Sequence, residues 1–220
     1  AIMGGKLPYP AGIDRNEFFK ALDEMPFDKC AAKFFPYVSE ETITLKRKIR
    51  TILGIVRRNM KNPMQLFRIF YWNYCHKAIH SNLPEGKYVN VLSHCAMDIA
   101  KTADVEIGGL VSLNQKRTRG SKGEFRLLVE DGAALTFGKG HSYFKYDSDI
   151  QVFKGAQLLI GRCSTNIGLK IVCAEKIVIG NDVHIGRDVW IRDNNGGHYV
   201  IIKGYKDKAP VIIGDNVWIC

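Results

Sequence analysis

The sequence predicts a mainly β protein, a parallel β-helix preceded by an α-helical segment. Three copies of one six-residue phrase carry this prediction: residues 179–184, 185–190 and 213–218 read IGNDVH, IGRDVW and IGDNVW. A period of six residues suits neither an α-helix nor a sheet of hairpins, but it fits stacked coils in which each hexad is one short strand and one bend. We expect the first and fifth residues to point inward and the glycine to supply the backbone conformation of the bend.

Three segments follow one another along the chain. Residues 1–41 are an N-terminal segment of unclear role. Residues 42–82 are a basic and aromatic helical segment, in which Leu45, Ile49, Ile52, Leu53, Val56 and Met60 recur on one helical face. Asn62 and Pro63 have the residue types of an N-cap and a first helical position, and they predict a second helix that runs through Trp72. Residues 83–220 are the β-helix domain, with looser coils from about Lys87.

The net charge of +10 comes almost entirely from the helical segment. Between Thr42 and Pro84 there are nine basic residues and no acidic one. One interpretation is that the helices cap the open end of the β-helix, and we favour it for the aromatic helix. The other is that residues 42–80 lie on an anionic membrane surface, and for the basic helix the two stay open. The β-helix itself is nearly neutral, so we expect no binding of nucleic acid.

Cysteine usage indicates the compartment. The six cysteines form no C-x-x-C pair and are expected to be free thiols in the cytoplasm. Cys163 and Cys173 fall among coil positions, where we expect small buried apolar side chains. No apolar run is long enough to span a bilayer, and the N-terminus lacks a signal-peptide layout. The predicted location is cytoplasmic, with a peripheral place on the inner face of the membrane if the helices bind lipid.

One insertion in the repeat is the candidate functional site. Ile191 and Ile213 are 22 positions apart, whereas a full coil takes about 18 residues. The excess predicts a loop that leaves the wall of the β-helix and carries the sequence DNNGGH at residues 193–198. A rigid scaffold that presents a loop is a common place for function. His198 at the end of this sequence has a side chain suited to proton transfer near neutral pH.

The hexads, the loop at 193–198 and the run 209–219 together resemble the hexapeptide-repeat acyltransferases, above all the sugar and polysaccharide O-acetyltransferase branch. The resemblance implies a left-handed β-helix, a homotrimer with its active site between subunits, acetyl-CoA as co-substrate and no metal. His198 would be the general base in a direct transfer to a hydroxyl of a sugar or glycan acceptor. Asp193 and Asn195 would orient the imidazole or the acceptor, and Trp218 would precede the acetyl-CoA channel, unless it is a subunit contact.

Two departures from that family pattern matter. Gly168 stands near the position of the acceptor-binding asparagine, and Asn166 is the nearest substitute. Cys220 replaces a glycine in the cofactor-binding stretch, and the coils that line the CoA arm in that family do not follow. We therefore expect a domain truncated at its C-terminus. The alternative function is a non-catalytic trimeric β-helix, a scaffold or a membrane-recruitment module.

The other histidines carry no comparable signal. His184 occupies the hexad position that holds Trp190 and Trp218 in the other copies, so we expect an outward or interface side chain. The remaining histidines show no partner spacing, and no metal site is predicted.

Overall fold

A computed structural model describes Glu17, Lys20, Glu24 and residues 44–115, 118–198 and 200–220. The predicted segment 1–41 therefore lies almost wholly outside the described residues. Residues 44–75 form helix α1 (Leu45–Asn59), helix α2 (Pro63–Phe70) and a π-helical turn (Tyr71–Cys75). The Asn62 side chain accepts a hydrogen bond from the Gln65 amide at 3.1 Å, which confirms the predicted N-cap.

Seventeen short strands follow in the described part of the chain. They are β1 (Ile79–His80), β2 (Tyr88–Val91), β3 (Cys95–Ile99), β4 (Asp104–Ile107), β5 (Leu110–Gln115), β6 (Phe125–Val129), β7 (Ala134–Phe137), β8 (His141–Lys145), β9 (Asp149–Val152), β10 (Gln157–Ile160), β11 (Cys163–Thr165), β12 (Lys170–Cys173), β13 (Lys176–Ile179), β14 (Val183–Ile185), β15 (Trp190–Arg192), β16 (Val211–Ile213) and β17 (Trp218–Ile219).

The strands make three parallel sheets, and each strand pairs with the strand three places along. Sheet A has the order β1-β4-β7-β10-β13-β16, sheet B has β2-β5-β8-β11-β14-β17, and sheet C has β3-β6-β9-β12-β15. The chain visits A, B and C in turn, so the bends lie at an A–B, a B–C and a C–A corner. We call this assembly the three-sheet body. Its topology is consistent with the predicted parallel β-helix.

The body differs from the expected one in extent and in period. Its first paired strand includes Ile79, which pairs with Val105, whereas the predicted domain boundary is residue 83, with looser coils from about Lys87. The regular repeat is also longer than 18 residues, because Leu158 pairs with Ile177 nineteen positions later and Cys163 pairs with Val183 twenty positions later. The extra residues lie in the corners, since the strands themselves contain only two to six residues.

The interior of the three-sheet body is a continuous apolar core made of inward rows. In sheet A, for example, Leu135, Leu158 and Ile177 stack in register and are fully buried. The first and fifth hexad residues point inward, as predicted: Ile179 and Val183 are both fully buried. Cys163 and Cys173 are buried core members, as predicted, and burial raises the pKa of each thiol to about 12.

The role predicted for the hexad glycine was wrong. The left-handed backbone conformation belongs to the fourth residue of each hexad, with φ of 56° at Asp182, 54° at Asp188 and 57° at Asn216. Short polar side chains tolerate this conformation best after glycine. Gly180 is needed for a different reason, because a Cβ there would lie 2.7 Å from the carbonyl carbon of Gly214 in the next repeat. The glycine allows successive A–B corners to stack closely.

Helix α2 and the π-helical turn cover the first repeat. Ile55, Ile69, Leu83 and Tyr88 form one buried cluster, and Trp72 packs against the main core. The Asn73 amide accepts from the Val89 N–H at 2.9 Å and donates to the Val89 carbonyl at 2.8 Å. Gln65 donates to the Val91 carbonyl at 2.8 Å. Two amide side chains thus satisfy the free edge of β2, which otherwise presents unpaired backbone groups.

No helix in the described ranges is long and apolar enough to cross a membrane.

Replacing Gly180 by alanine tests the stacking at the A–B corner. The added methyl must displace backbone of the next repeat, and such overpacking costs about 1–3 kcal/mol. Gly54→Ala is the matched control, because the nearest atom to its added Cβ is the end of the Arg58 side chain at 3.7 Å. In a helix we expect that change to stabilise by about 0.5–1 kcal/mol. Urea unfolding of both variants gives the comparison, and an unchanged Gly180→Ala midpoint would contradict the close approach.

Replacing Asn73 by leucine tests the edge of β2. Leucine keeps the approximate volume but leaves both buried polar groups of Val89 unpaired, so we expect a loss of about 2–4 kcal/mol in the free energy of unfolding. Asn82→Leu, at an exposed position before β2, should change it by less than about 0.5 kcal/mol. Equal effects of the two substitutions in urea titrations would show that the amide of Asn73 does not support this edge.

Candidate functional site

The predicted loop leaves the C–A corner after β15 and returns at β16. Its two ends pair as a short antiparallel bridge between Asn194 and Lys208. The Asn195 N–H donates to the Asp207 carbonyl at 3.0 Å, and the Ala209 N–H donates to the Asp193 carbonyl at 2.9 Å. The base of the loop is therefore held by backbone hydrogen bonds, while residues 196–198 and 201–206 are exposed.

Asp193 anchors the loop to the preceding repeat. One carboxylate oxygen accepts the N–H of Ala174 at 2.8 Å, and the other accepts the N–H groups of Glu175 and Lys176 at 2.7 Å each. The residue is only 4% exposed. Charge-assisted bonds of this kind are the strong ones in proteins. The carboxylate is thus committed to the β12–β13 turn, and no described hydrogen bond joins it to the His198 imidazole.

Asn194 and Asn195 shape the sharp bend that follows. Their side-chain oxygens accept the N–H groups of Gly196 and Gly197, each at 2.9 Å. The two glycines have φ of 75° and 82°, a conformation that costs glycine little. The Asn195 side-chain amide then donates to the His198 carbonyl at 2.6 Å. Asn195 therefore orients the backbone of His198. From the sequence it was expected to orient the imidazole or the acceptor.

His198 lies on a groove of about 850 Å³. The groove follows the C–A corner across three repeats and is closed on one side by the loop. Its lining residues are Glu130, Phe153, Lys154, Val172, Ala174, Asn194, Asn195, Gly196, Gly197, His198, Val200, Tyr205, Asp207 and Lys208. The His198 side chain is exposed, and no described residue hydrogen-bonds to its imidazole.

Charged groups of both signs line this groove. Glu130 accepts the Lys154 N–H at 2.8 Å, and the Lys208 ammonium donates to the Ala174 carbonyl at 3.3 Å. Phe153 and Tyr205 supply aromatic surface. A polar ligand with hydroxyl groups would find donors, acceptors and ring faces along this corner. Four of the lining residues were not among the predicted site residues: Glu130, Lys154, Tyr205 and Lys208.

The other predicted site residues lie elsewhere on the body. Asn166 is at the B–C corner after β11, where its side chain accepts the Lys145 ammonium at 3.0 Å. Trp218 is on the outer face of β17 in sheet B and is 77% exposed. Cys220 follows β17 and is exposed. Within one chain the structure does not bring these three residues to the groove of His198.

His184 is exposed on sheet B, as predicted. Its Nδ1 is 2.7 Å from the Ser164 hydroxyl, and His184 is in register with Trp218 on the neighbouring strand. In the described ranges, no three His, Cys, Asp or Glu residues are arranged to hold a metal ion.

No family model, no curated protein and no solved structure matches this chain.

Replacing Asp193 by asparagine tests the anchor of the loop. The asparagine NH₂ group would face backbone N–H donors that the carboxylate now accepts, so we expect a loss of about 2–4 kcal/mol in unfolding free energy. Asp207→Asn is the matched control at the other base of the loop, where the carboxylate is exposed and accepts one 3.3 Å bond from Asn195. It should cost less than about 0.5 kcal/mol. Urea unfolding distinguishes them, and similar losses would contradict the anchoring role.

Proposed function

We propose that this protein is an acyltransferase that moves an acetyl group from acetyl-CoA to a hydroxyl of a sugar or polysaccharide precursor. One observation carries the proposal: a loop held at its base by hydrogen bonds presents the exposed His198 imidazole, which no described residue hydrogen-bonds, to a groove with polar and aromatic walls. This arrangement meets the geometric needs of a general base, whose proton-accepting nitrogen must be within reach of a bound hydroxyl. The hexads and the DNNGGH loop resemble the hexapeptide-repeat acyltransferases, and this resemblance supports the same chemistry.

The proposed reaction is one direct transfer. The His198 imidazole takes the proton of the acceptor hydroxyl while that oxygen attacks the thioester carbonyl of acetyl-CoA. The tetrahedral intermediate collapses by breaking the carbon–sulfur bond. The departing CoA sulfur takes the proton back from the imidazolium, so the products are the acetyl ester and free CoA. Asp193 and Asn195 act on this step by fixing the loop that carries His198.

The site we propose is shared between copies of the chain. His198 belongs to the C–A corner, whereas Asn166, Trp218 and Cys220 belong to sheet B and the B–C corner. A left-handed parallel β-helix that forms a homotrimer would bring the C–A corner of one copy against sheet B of another. Acetyl-CoA would then bind beside Trp218 and Cys220 of the neighbouring copy. The exposed Ile201, Ile202 and Trp190 support such an interface, because large exposed apolar side chains mark contact surfaces.

We place the reaction in the cytoplasm. The described cysteines are free, and two of them are core residues rather than halves of disulfides. Free thiols of this kind are typical of a reducing compartment.

The second candidate function is a non-catalytic trimeric scaffold or a membrane-recruitment module. The exposed apolar residues of α1 and α2 favour it, because a scaffold that recruits other components needs such a surface. In that case the loop and its groove would serve to hold a ligand without chemistry.

Replacing His198 by alanine separates the two functions. For a transferase we expect CoA release from acetyl-CoA, with a panel of sugar acceptors, to fall about 10²- to 10⁴-fold. His80→Ala is the matched control, an exposed histidine on β1 at the far end of the body, and should retain activity within about twofold. Mass spectrometry of the acetylated acceptor gives the readout. Equal inactivity of the wild type and His198→Ala across the panel would refute the transferase and leave the scaffold.

A further inference from the structure

Helix α1 turns its apolar face away from the three-sheet body. Leu45, Ile49 and Leu53 recur every four residues on that face and are 73%, 49% and 62% exposed. The residues that α1 buries against the body are Thr51 and Ile55, which lie on its other side. An amphipathic helix normally packs its apolar stripe on the core. Here the described residues leave the apolar stripe exposed.

Helix α2 and its π-helical extension present a second apolar row. Met64, Phe67 and Tyr71 are exposed, and the rings of Phe67 and Tyr71 stack with centroids 6.2 Å apart. On the other side of the same helix Gln65 and Ile69 are buried against the first repeat. The helix thus caps the body with one side and exposes aromatic side chains on the other. We call the two exposed rows together, Leu45, Ile49, Leu53, Met64, Phe67 and Tyr71, the apolar ridge.

The charge around the apolar ridge has one sign. The nine basic residues between Thr42 and Pro84 have no acidic residue among them. Lys46, Arg50, Arg57 and Lys61 are exposed on α1 and at its C-terminal end. A protein partner of ordinary composition would not require this exclusion of carboxylates. An anionic bilayer fits both properties, because it offers phosphate groups to the cations and acyl chains to the apolar side chains.

We propose that α1 and α2 bind an anionic phospholipid surface, with the apolar ridge inserted at the level of the headgroups and acyl chains and the basic residues on lipid phosphates. The helices lie in the plane of the membrane and do not cross it, since the two are only 15 and 8 residues long. The first repeat stays packed against their buried side, so the three-sheet body is held at the surface. This inference does not depend on acyl transfer, and its test measures lipid binding alone.

Sedimentation of the whole protein with vesicles tests the proposal. We expect binding to vesicles of phosphatidylcholine mixed with phosphatidylglycerol and little binding to phosphatidylcholine alone. Raising NaCl from about 0.1 M to about 1 M should weaken the binding, because the screening length falls from about 10 Å to about 3 Å. Equal binding to both vesicle types, or to neither, would overturn the proposal.

Three double variants locate the surface. Leu53→Asp with Phe67→Asp should weaken binding by about tenfold for each side chain that no longer inserts. Arg57→Glu with Lys61→Glu should weaken it at least twentyfold, since each cation lost near an anionic bilayer costs about fivefold in affinity. Lys101→Glu with Lys122→Glu is the control of equal charge on the three-sheet body and should leave binding unchanged. Circular dichroism and thermal unfolding verify that all three variants remain folded.

Two results would refute this assignment. Equal losses in the control pair and the α1 pair would show that net charge, and not this surface, drives binding. The second result combines two observations: the wild type binds neither kind of vesicle, and the Leu53→Asp, Phe67→Asp variant has a lower oligomeric state in analytical ultracentrifugation. The apolar ridge would then be a contact between copies of the chain.

Discussion

Close stacking of backbone at the corners of the three-sheet body limits which residues each repeat can contain. Successive repeats hydrogen-bond through parallel strands, so their corners must approach as closely as the strands do. At the A–B corner a side chain does not fit: a Cβ on Gly161 would lie 2.5 Å from the Gly180 carbonyl oxygen. Glycine is required there because a side chain would collide with the neighbouring backbone, and not because the residue has a positive φ. The left-handed residue of each bend is a separate requirement, met by Asp182, Asp188 and Asn216. One hexad therefore contains two solutions to two different steric problems.

The candidate site lies at a corner where this regularity is interrupted. An insertion into a stacked wall risks separating the strands on either side, yet β13 and β16 remain paired across the loop at 193–210. The carboxylate of Asp193 explains how, because it satisfies three backbone N–H groups of the turn beneath the insertion. The Asn194–Lys208 bridge then closes the base. The loop can vary above that base without disturbing the core, which is the usual relation between a rigid scaffold and a functional loop.

Sequence reasoning predicted the repeat and the loop but not the composition of the groove. The hexads allowed the inward-pointing positions to be predicted, and Val183 and Ile185 are buried as expected. The excess length between Ile191 and Ile213 located the insertion. The groove residues Glu130 and Lys154 were missed because their corners come from earlier repeats, whose spacing is not 18 residues. With the observed spacing of about twenty, Lys154 would have been placed two repeats below the loop. The orientation of α1 could not be predicted either, because the periodicity identifies an apolar stripe but not the surface that covers it.

The two ends of the three-sheet body differ. Helices cover the first repeat, and the loop with His198 lies beside the last one. At the first repeat, Asn73 and Gln65 satisfy the edge of β2 with side-chain amides, so α2 can cover that edge without continuing the sheet. The same helix is then left with its aromatic side outward. At the other end the loop with His198 stands beside the last strand pairs.

Binding of the helices to a lipid surface would hold the first repeat at the membrane and set the loop near the opposite end of the stack. Neighbouring strands lie about 4.7–4.9 Å apart, so the five pairings that join β1 to β16 separate the two ends by roughly 24 Å. Under the two proposals together, an acceptor anchored in that membrane would extend along the body to reach His198, which suits an elongated glycan better than a single sugar.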